Sequence, residues 1–144
     1  MARSGRPPKI DPLKPIHRAV IDGNVSDFSV ELANHEDNIN LPGPEGMTPL
    51  HIAADFGRVE FAKALLDAGA YIDPINVFGN TPLWVAVMKR RRTCPDGSMI
   101  RLLLQHGADP DRGEGETAPL ALSKGIAGFP EELIALLEKK STAD

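Results

Sequence analysis

The sequence contains a single cysteine, Cys94, in 144 residues. A lone thiol excludes an internal disulfide and a cysteine-rich zinc site. Aromatic residues are few, at one Trp, one Tyr and five Phe, which argues against a large all-β core or a deep aromatic pocket. No apolar run approaches the roughly 18 residues of a membrane span. The opening stretch, Met1-Ala2-Arg3-Ser4-Gly5-Arg6-Pro7-Pro8-Lys9, lacks the apolar segment of a secretory signal. The expectation is a soluble, cytoplasmic protein with no membrane partner. Its length suits one domain and is too short for two.

What the chain does have is glycine and proline, 13 of each, where average usage would give roughly 17 together. Such an excess accompanies disorder only when apolar residues are scarce. Here 42% are apolar, so the breakers punctuate real elements. Charge is uneven. Residues 1–21 carry a net +4, 22–88 a net −8, 89–92 (Lys89, Arg90, Arg91, Arg92) a further +4, and 93–144 a net −4. An acidic body with two basic spots argues against bulk nucleic-acid binding and permits a basic partner.

The breakers are periodic. Gly46-Met47-Thr48-Pro49-Leu50-His51 recurs as Gly79-Asn80-Thr81-Pro82-Leu83-Trp84, a step of 33. Pro15-Ile16-His17-Arg18-Ala19 matches Pro49-Leu50-His51-Ile52-Ala53 at a step of 34, and Ala118-Pro119-Leu120-Ala121 matches again further on. Gly69-Ala70 returns as Gly107-Ala108. On these motifs the sequence resembles the ankyrin-repeat family, over about 130 of its residues. The second unit follows the family pattern throughout, through Gly57 and Leu65-Leu66-x-x-Gly69-Ala70. The third departs by an insertion near 89–97, and the outer two are degraded. The resemblance implies an all-α solenoid of about four helix-turn-helix units with β-hairpin-like finger loops. Units are expected near 12–45, 46–78, 79–114 and 115–140, between a flexible basic arm at 1–11 and a tail at 141–144.

Local chemistry agrees. Thr48 before Pro49 is a helix start, because a hydroxyl caps free N–H groups and proline suits the first helical position. Leu50, Ala53 and Ala54 share one face, and Phe61, Ala62, Leu65 and Leu66 share another at helical spacing. Gly57 and Gly69 end the two helices. The pattern predicts helices over 15–22, 26–34, 49–56, 59–67, 82–89, 98–105, 119–124 and 130–139, the last with Glu131-Glu132 at its start and Lys139-Lys140 at its end. A unit this small cannot bury its own apolar face, so stacking supplies the core.

The residue types do not assemble a catalytic set, and the chain reads as a non-enzyme without cofactor or metal. Among His17, His35, His51 and His106, the first and third hold the same slot, which in the resembled family is structural; Trp84 and Ala121 replace it later. Trp84 is expected in packing. Cys94 is expected as a solvent-exposed thiol in the insertion loop, made more reactive by the neighbouring arginines. Asp109-Pro110-Asp111 suits a turn. Arg3-Ser4-Gly5-Arg6-Pro7-Pro8-Lys9 resembles an AT-hook, a motif that enters the minor groove, although the acidic body opposes DNA.

In the resembled family, partners meet the finger tips and the ends of the first helices. Carried over by position, these are Pro44, Glu45, Met47, Asp55 and Phe56, then Val77, Phe78, Asn80, Met88 and Lys89, with Ile21 and Asp22 equivalent to Asp55 and Phe56. Exposed Phe and Met ringed by charge form the kind of patch that interfaces use; the alternative is that the 89–97 insertion folds over Phe56 and Met88. The insertion, with Lys89, Arg90, Arg91 and Arg92, adds a second candidate surface. The resemblance implies a protein-interaction module, monomeric alone, that binds and blocks a partner. Its sharpest form is an immunity protein holding a cognate toxin, with an acidic concave face suited to a basic target such as a nuclease. An intracellular adaptor, and a nucleic-acid-associated regulator using the arm and residues 89–92, stand as alternatives.

Overall fold

A computed structural model describes residues 13–34, 36–113 and 118–141. The basic arm 1–11 with its AT-hook-like motif, His35 and residues 142–144 lie outside the described residues. Among the described residues eight α-helices follow one another: α1 (Pro15–Asp22), α2 (Val25–Asn34), α3 (Pro49–Phe56), α4 (Val59–Asp67), α5 (Pro82–Thr93), α6 (Ser98–Gln105), α7 (Pro119–Gly125) and α8 (Glu131–Ser141). No strand occurs among the described residues; the fingers are tight turns, with short 3₁₀ segments at Glu36–Asn40 and Pro44–Gly46.

The helices stack as antiparallel pairs in two layers. In one layer α3 lies between α1 and α5, and α5 lies between α3 and α7; in the other, α6 touches both α4 and α8. The core runs continuously along the seam. Ile16, Leu50, Leu83, Leu65, Leu103, Leu133 and Leu137 are fully or almost fully buried in it. The small Ala53 and Ala54 are buried on α3, where they let neighbouring helices close in. Phe28 of α2 stacks on Phe61 of α4, ring centroids 4.4 Å apart.

The first helices of the two inner units start at capping threonines. Thr48 Oγ1 accepts the His51 N–H at 3.3 Å, and Thr81 Oγ1 accepts the Trp84 N–H at 3.2 Å. Pro49 and Pro82 follow those caps. Gly57 ends α3 with φ 68°, and a Cβ there would stand 2.6 Å from the Thr93 Cβ. The position therefore needs glycine both for its left-handed backbone and for the close approach of α5.

Helix α5 departs from the expectation. It was expected to end at 89 and give way to a loop; it continues to Thr93, so the connection to α6 is only Cys94–Gly97. The reason is helical phase. Leu83, Ala86, Val87 and Arg90 recur on the core side and are all buried, so the pattern runs a turn past the last apolar residue. Arg90 is only 7% exposed. Its Nη1 donates to the Pro95 carbonyl at 2.6 Å, and its guanidinium lies 5.0 Å from the centroid of the Phe129 ring. A long aliphatic stem fills the core while the cationic head finds an oxygen and a π-face. Cys94 is corrected likewise. It is 7% exposed, not a surface thiol, and its Sγ faces the Gly57 carbonyl at 3.8 Å.

Candidate partner-binding groove

Two buried histidines tie the start of a first helix to a carbonyl further along the chain, His17 within the first unit and His51 across to the third. A carbonyl can only accept, so the 2.8 Å contact between His51 Nε2 and the Asn80 oxygen puts the hydrogen on Nε2. Nδ1 is then the lone-pair nitrogen and accepts the Thr48 N–H at 3.1 Å. His17 repeats the arrangement, with Nε2 donating to the Leu41 carbonyl at 2.6 Å and Nδ1 accepting the Lys14 N–H at 3.0 Å. Burial pushes the His51 pKa down to about 4, and it lowers that of His17 in the same direction. Both rings are neutral struts, as the family slot implied.

The finger beyond His51 is built on Asn76. Its Oδ1 accepts the N–H groups of Phe78 (2.9 Å) and Asn80 (3.1 Å), an Asx turn that closes the tip without a strand. The Val77 N–H donates to the Glu45 carbonyl at 2.9 Å and joins this finger to the previous one. Fixed this way, Phe78 stands 57% exposed.

Between the fingers and the helices lies a groove of about 640 Å³. Met47 and Phe78 line it from the fingers, Asp55 from α3, Trp84, Met88 and Lys89 from α5, and Leu122 from α7. A smaller recess of about 290 Å³, lined by Asp55, Phe56, Lys89, Arg92 and Thr93, shares Asp55 and Lys89 with it. Those two form an ion pair at 3.1 Å at the junction. Met88 is 45% and Phe56 43% exposed, so the connection after α5 does not fold over them.

The groove and its recess gather Glu45, Met47, Asp55, Phe56, Phe78, Asn80, Met88, Lys89 and Arg92 from the expected set. Asn80 is largely buried and serves through its backbone. Val77 and Arg91 are exposed but line neither cavity. Ile21 packs against the core, and the Arg58 guanidinium takes its carbonyl at 2.7 Å. Asp22 lines a separate recess near α1 and α2. Arg90 is withdrawn from the surface altogether. Of the lining side chains, Glu45 and Asp55 are balanced by Lys89 and Arg92, so the concave face is not the acidic one expected.

Asn76, Trp84, Val85 and Leu122 complete the lining. Trp84 packs against the core as expected, and the half-buried ring also forms part of the groove wall. Asp109 Oδ1 accepts the Asp111 N–H at 2.9 Å, a turn contact. No group of three or more His, Cys, Asp or Glu able to hold a metal ion occurs among the described residues. No described helix is long and apolar enough to cross a membrane.

Comparison with known proteins bears on this geometry. A family model described as ankyrin repeats in three copies matches residues 5–76, and a single-repeat model matches 78–113. Cyclin-dependent kinase 4 inhibitor B of Bos taurus is 35% identical over 97 residues, covering 67% of this chain and 70% of that protein. Rabankyrin-5 of Homo sapiens is 37% identical over 102 residues, 63% of this chain but 8% of that protein. Neurogenic locus notch homolog protein 4 of Homo sapiens is 40% identical over 94 residues, 62% of this chain and 4% of that protein. The chain thus spans most of the first and a small part of the other two.

Proposed function

Because the chain belongs to the ankyrin-repeat family, we propose that it binds a partner protein in the groove between its fingers and helices α3, α5 and α7, and that occupancy of the partner's surface is its action. One observation carries this reading. Phe78 and Met88 are about half exposed beside the half-buried Trp84, on a scaffold already fixed by the histidine struts and the Asn76 turn. Apolar side chains held in water without freedom to collapse recover hydration free energy only when something covers them. Pre-fixed backbone also lowers the ordering entropy lost on binding.

Blocking is the simplest consequence of occupancy, and a relative whose name is that of an inhibitor is in keeping with it. A toxin as the blocked protein rests on the sequence reading; the balanced charge of the groove gives no preference for a basic nuclease. An adaptor would need a second surface.

Phe78→Ala with Met88→Ala tests the reading. The double variant should retain its melting temperature within a few degrees, since both side chains are solvent-facing, while affinity for the partner captured by the parent chain falls by at least tenfold, about 1.4 kcal/mol. Titration calorimetry measures the affinity. Undiminished binding with a folded variant would remove the groove from the interface.

A further inference from the structure

Helix α5 carries two stripes on the side of the groove. Trp84, Met88 and Arg91 follow one another at steps of four and three, and Val85, Lys89 and Arg92 form the neighbouring row. Each stripe begins apolar in the groove and ends in a cation at the last turn. Lys89 is engaged by Asp55. Arg91 and Arg92 are exposed, and neither has an ion-pair partner among the described residues. Arg92 stands in the recess with Phe56. The apolar groove wall on α5 thus lies one to two turns before two exposed guanidinium groups, Arg92 in the recess and Arg91 outside both cavities, that have no ion-pair partner among the described residues.

We propose that the groove takes an acidic segment of a partner protein, with an apolar anchor against Trp84 and Met88 followed by carboxylates that pair with Arg91 and Arg92. This rests on the groove being the binding face. Helical rise places Arg92 about 6 Å beyond Met88, and Arg91 about 10 Å beyond Trp84. An extended chain covers about 3.4 Å per residue, so the carboxylates belong two or three residues from the anchor. A guanidinium offers a carboxylate two parallel N–H donors.

Phage-displayed random peptides selected on the full chain test this, with three proteins run in parallel. On the parent, enriched peptides should carry Asp or Glu two or three residues from a large apolar residue. On Arg91→Glu/Arg92→Glu those peptides should lose at least tenfold in affinity, and fresh selection should turn to Lys- and Arg-bearing sequences. On Phe78→Ala/Met88→Ala both classes should fail. Peptides lost on the groove variant but indifferent to charge reversal overturn the acidic-segment proposal and leave the groove standing. Peptides that bind all three proteins equally overturn the groove as well, as does the absence of any enrichment. Retention of the parent on duplex DNA that needs Arg91 and Arg92 and fades steeply with added salt overturns the proposal in favour of a nucleic acid.

Discussion

The residue scale shows most plainly at two side chains whose type misleads about their role. Arg90 sits within a run of four cations, yet its head is held by a carbonyl and a ring inside the fold. Arg90→Ala removes a charge-assisted hydrogen bond and a cation–π contact and leaves a void. We expect a loss of about 2–3 kcal/mol, against less than about 0.5 kcal/mol for Arg91→Ala, both read from urea unfolding at neutral pH. Equal effects would contradict the buried placement. His51 is the second case. Its folded pKa is about 4 and its unfolded value near 6.5, so below pH 6.5 the unfolded chain binds more protons. Stability is therefore full above 6.5 and falls as pH drops toward 4, by about 2 kcal/mol between pH 7 and 5 from this one ring. His17 acts in the same direction. Asp73, raised by burial, has the opposite sign but titrates from a carboxylate's lower starting value. Urea midpoints at pH 7, 6 and 5 check this. The slope should shrink in His51→Gln, and a flat profile in the parent would refute the neutral-strut assignment.

At the scale of the element, the helices that sequence predicts best are those whose ends are marked by single residues with a stereochemical job. Pro49 after a capping Thr48 and Gly57 in the left-handed region fix both ends of α3, and the observed span agrees with the expected one. Helix α5 has the same start but no left-handed glycine at its C-cap, which is Cys94, and its final turn is written in Lys and Arg. Hydrophobic periodicity could not follow it there, because the buried member is an arginine whose stem supplies the apolar surface. The same limit hid part of the groove. Phe78 and Met88 were legible as large apolar residues in exposed slots, whereas Trp84 inherits a slot that is buried in its neighbour and Leu122 enters from a helix distant in sequence. The length of α5 has a measurable effect. Its last turn presses Thr93 against Gly57, while a Cβ at Gly69 would meet nothing within 4 Å. Both glycines have positive φ, so both substitutions carry backbone strain, and the difference between them isolates the contact. Gly57→Ala should cost on the order of 1–3 kcal/mol more than Gly69→Ala, read as the gap between their unfolding free energies. No gap would mean that α5 does not close on α3.

On the scale of the whole molecule, every helix pair owes its buried face to a neighbour. Helices α1 and α5 both pack on α3, so excising residues 46–78 removes the surface against which each is buried. The shortened chain should lose its sharp urea transition by circular dichroism, because stability in such arrays is the sum of weak units and strong junctions. A retained cooperative transition would show that the outer pairs re-dock on each other. The histidine struts add a direction to this dependence. Each runs forward along the chain, His17 to a carbonyl 24 residues later and His51 to one 29 residues later. On a ribosome, then, the second unit is not finished when its own last residue emerges. The His51 ring waits for Asn80, about 1–6 s at ordinary rates of synthesis, and a pause placed in that interval would leave the nascent chain with its polar strut facing solvent. The second repeat closes only after the third has begun to emerge.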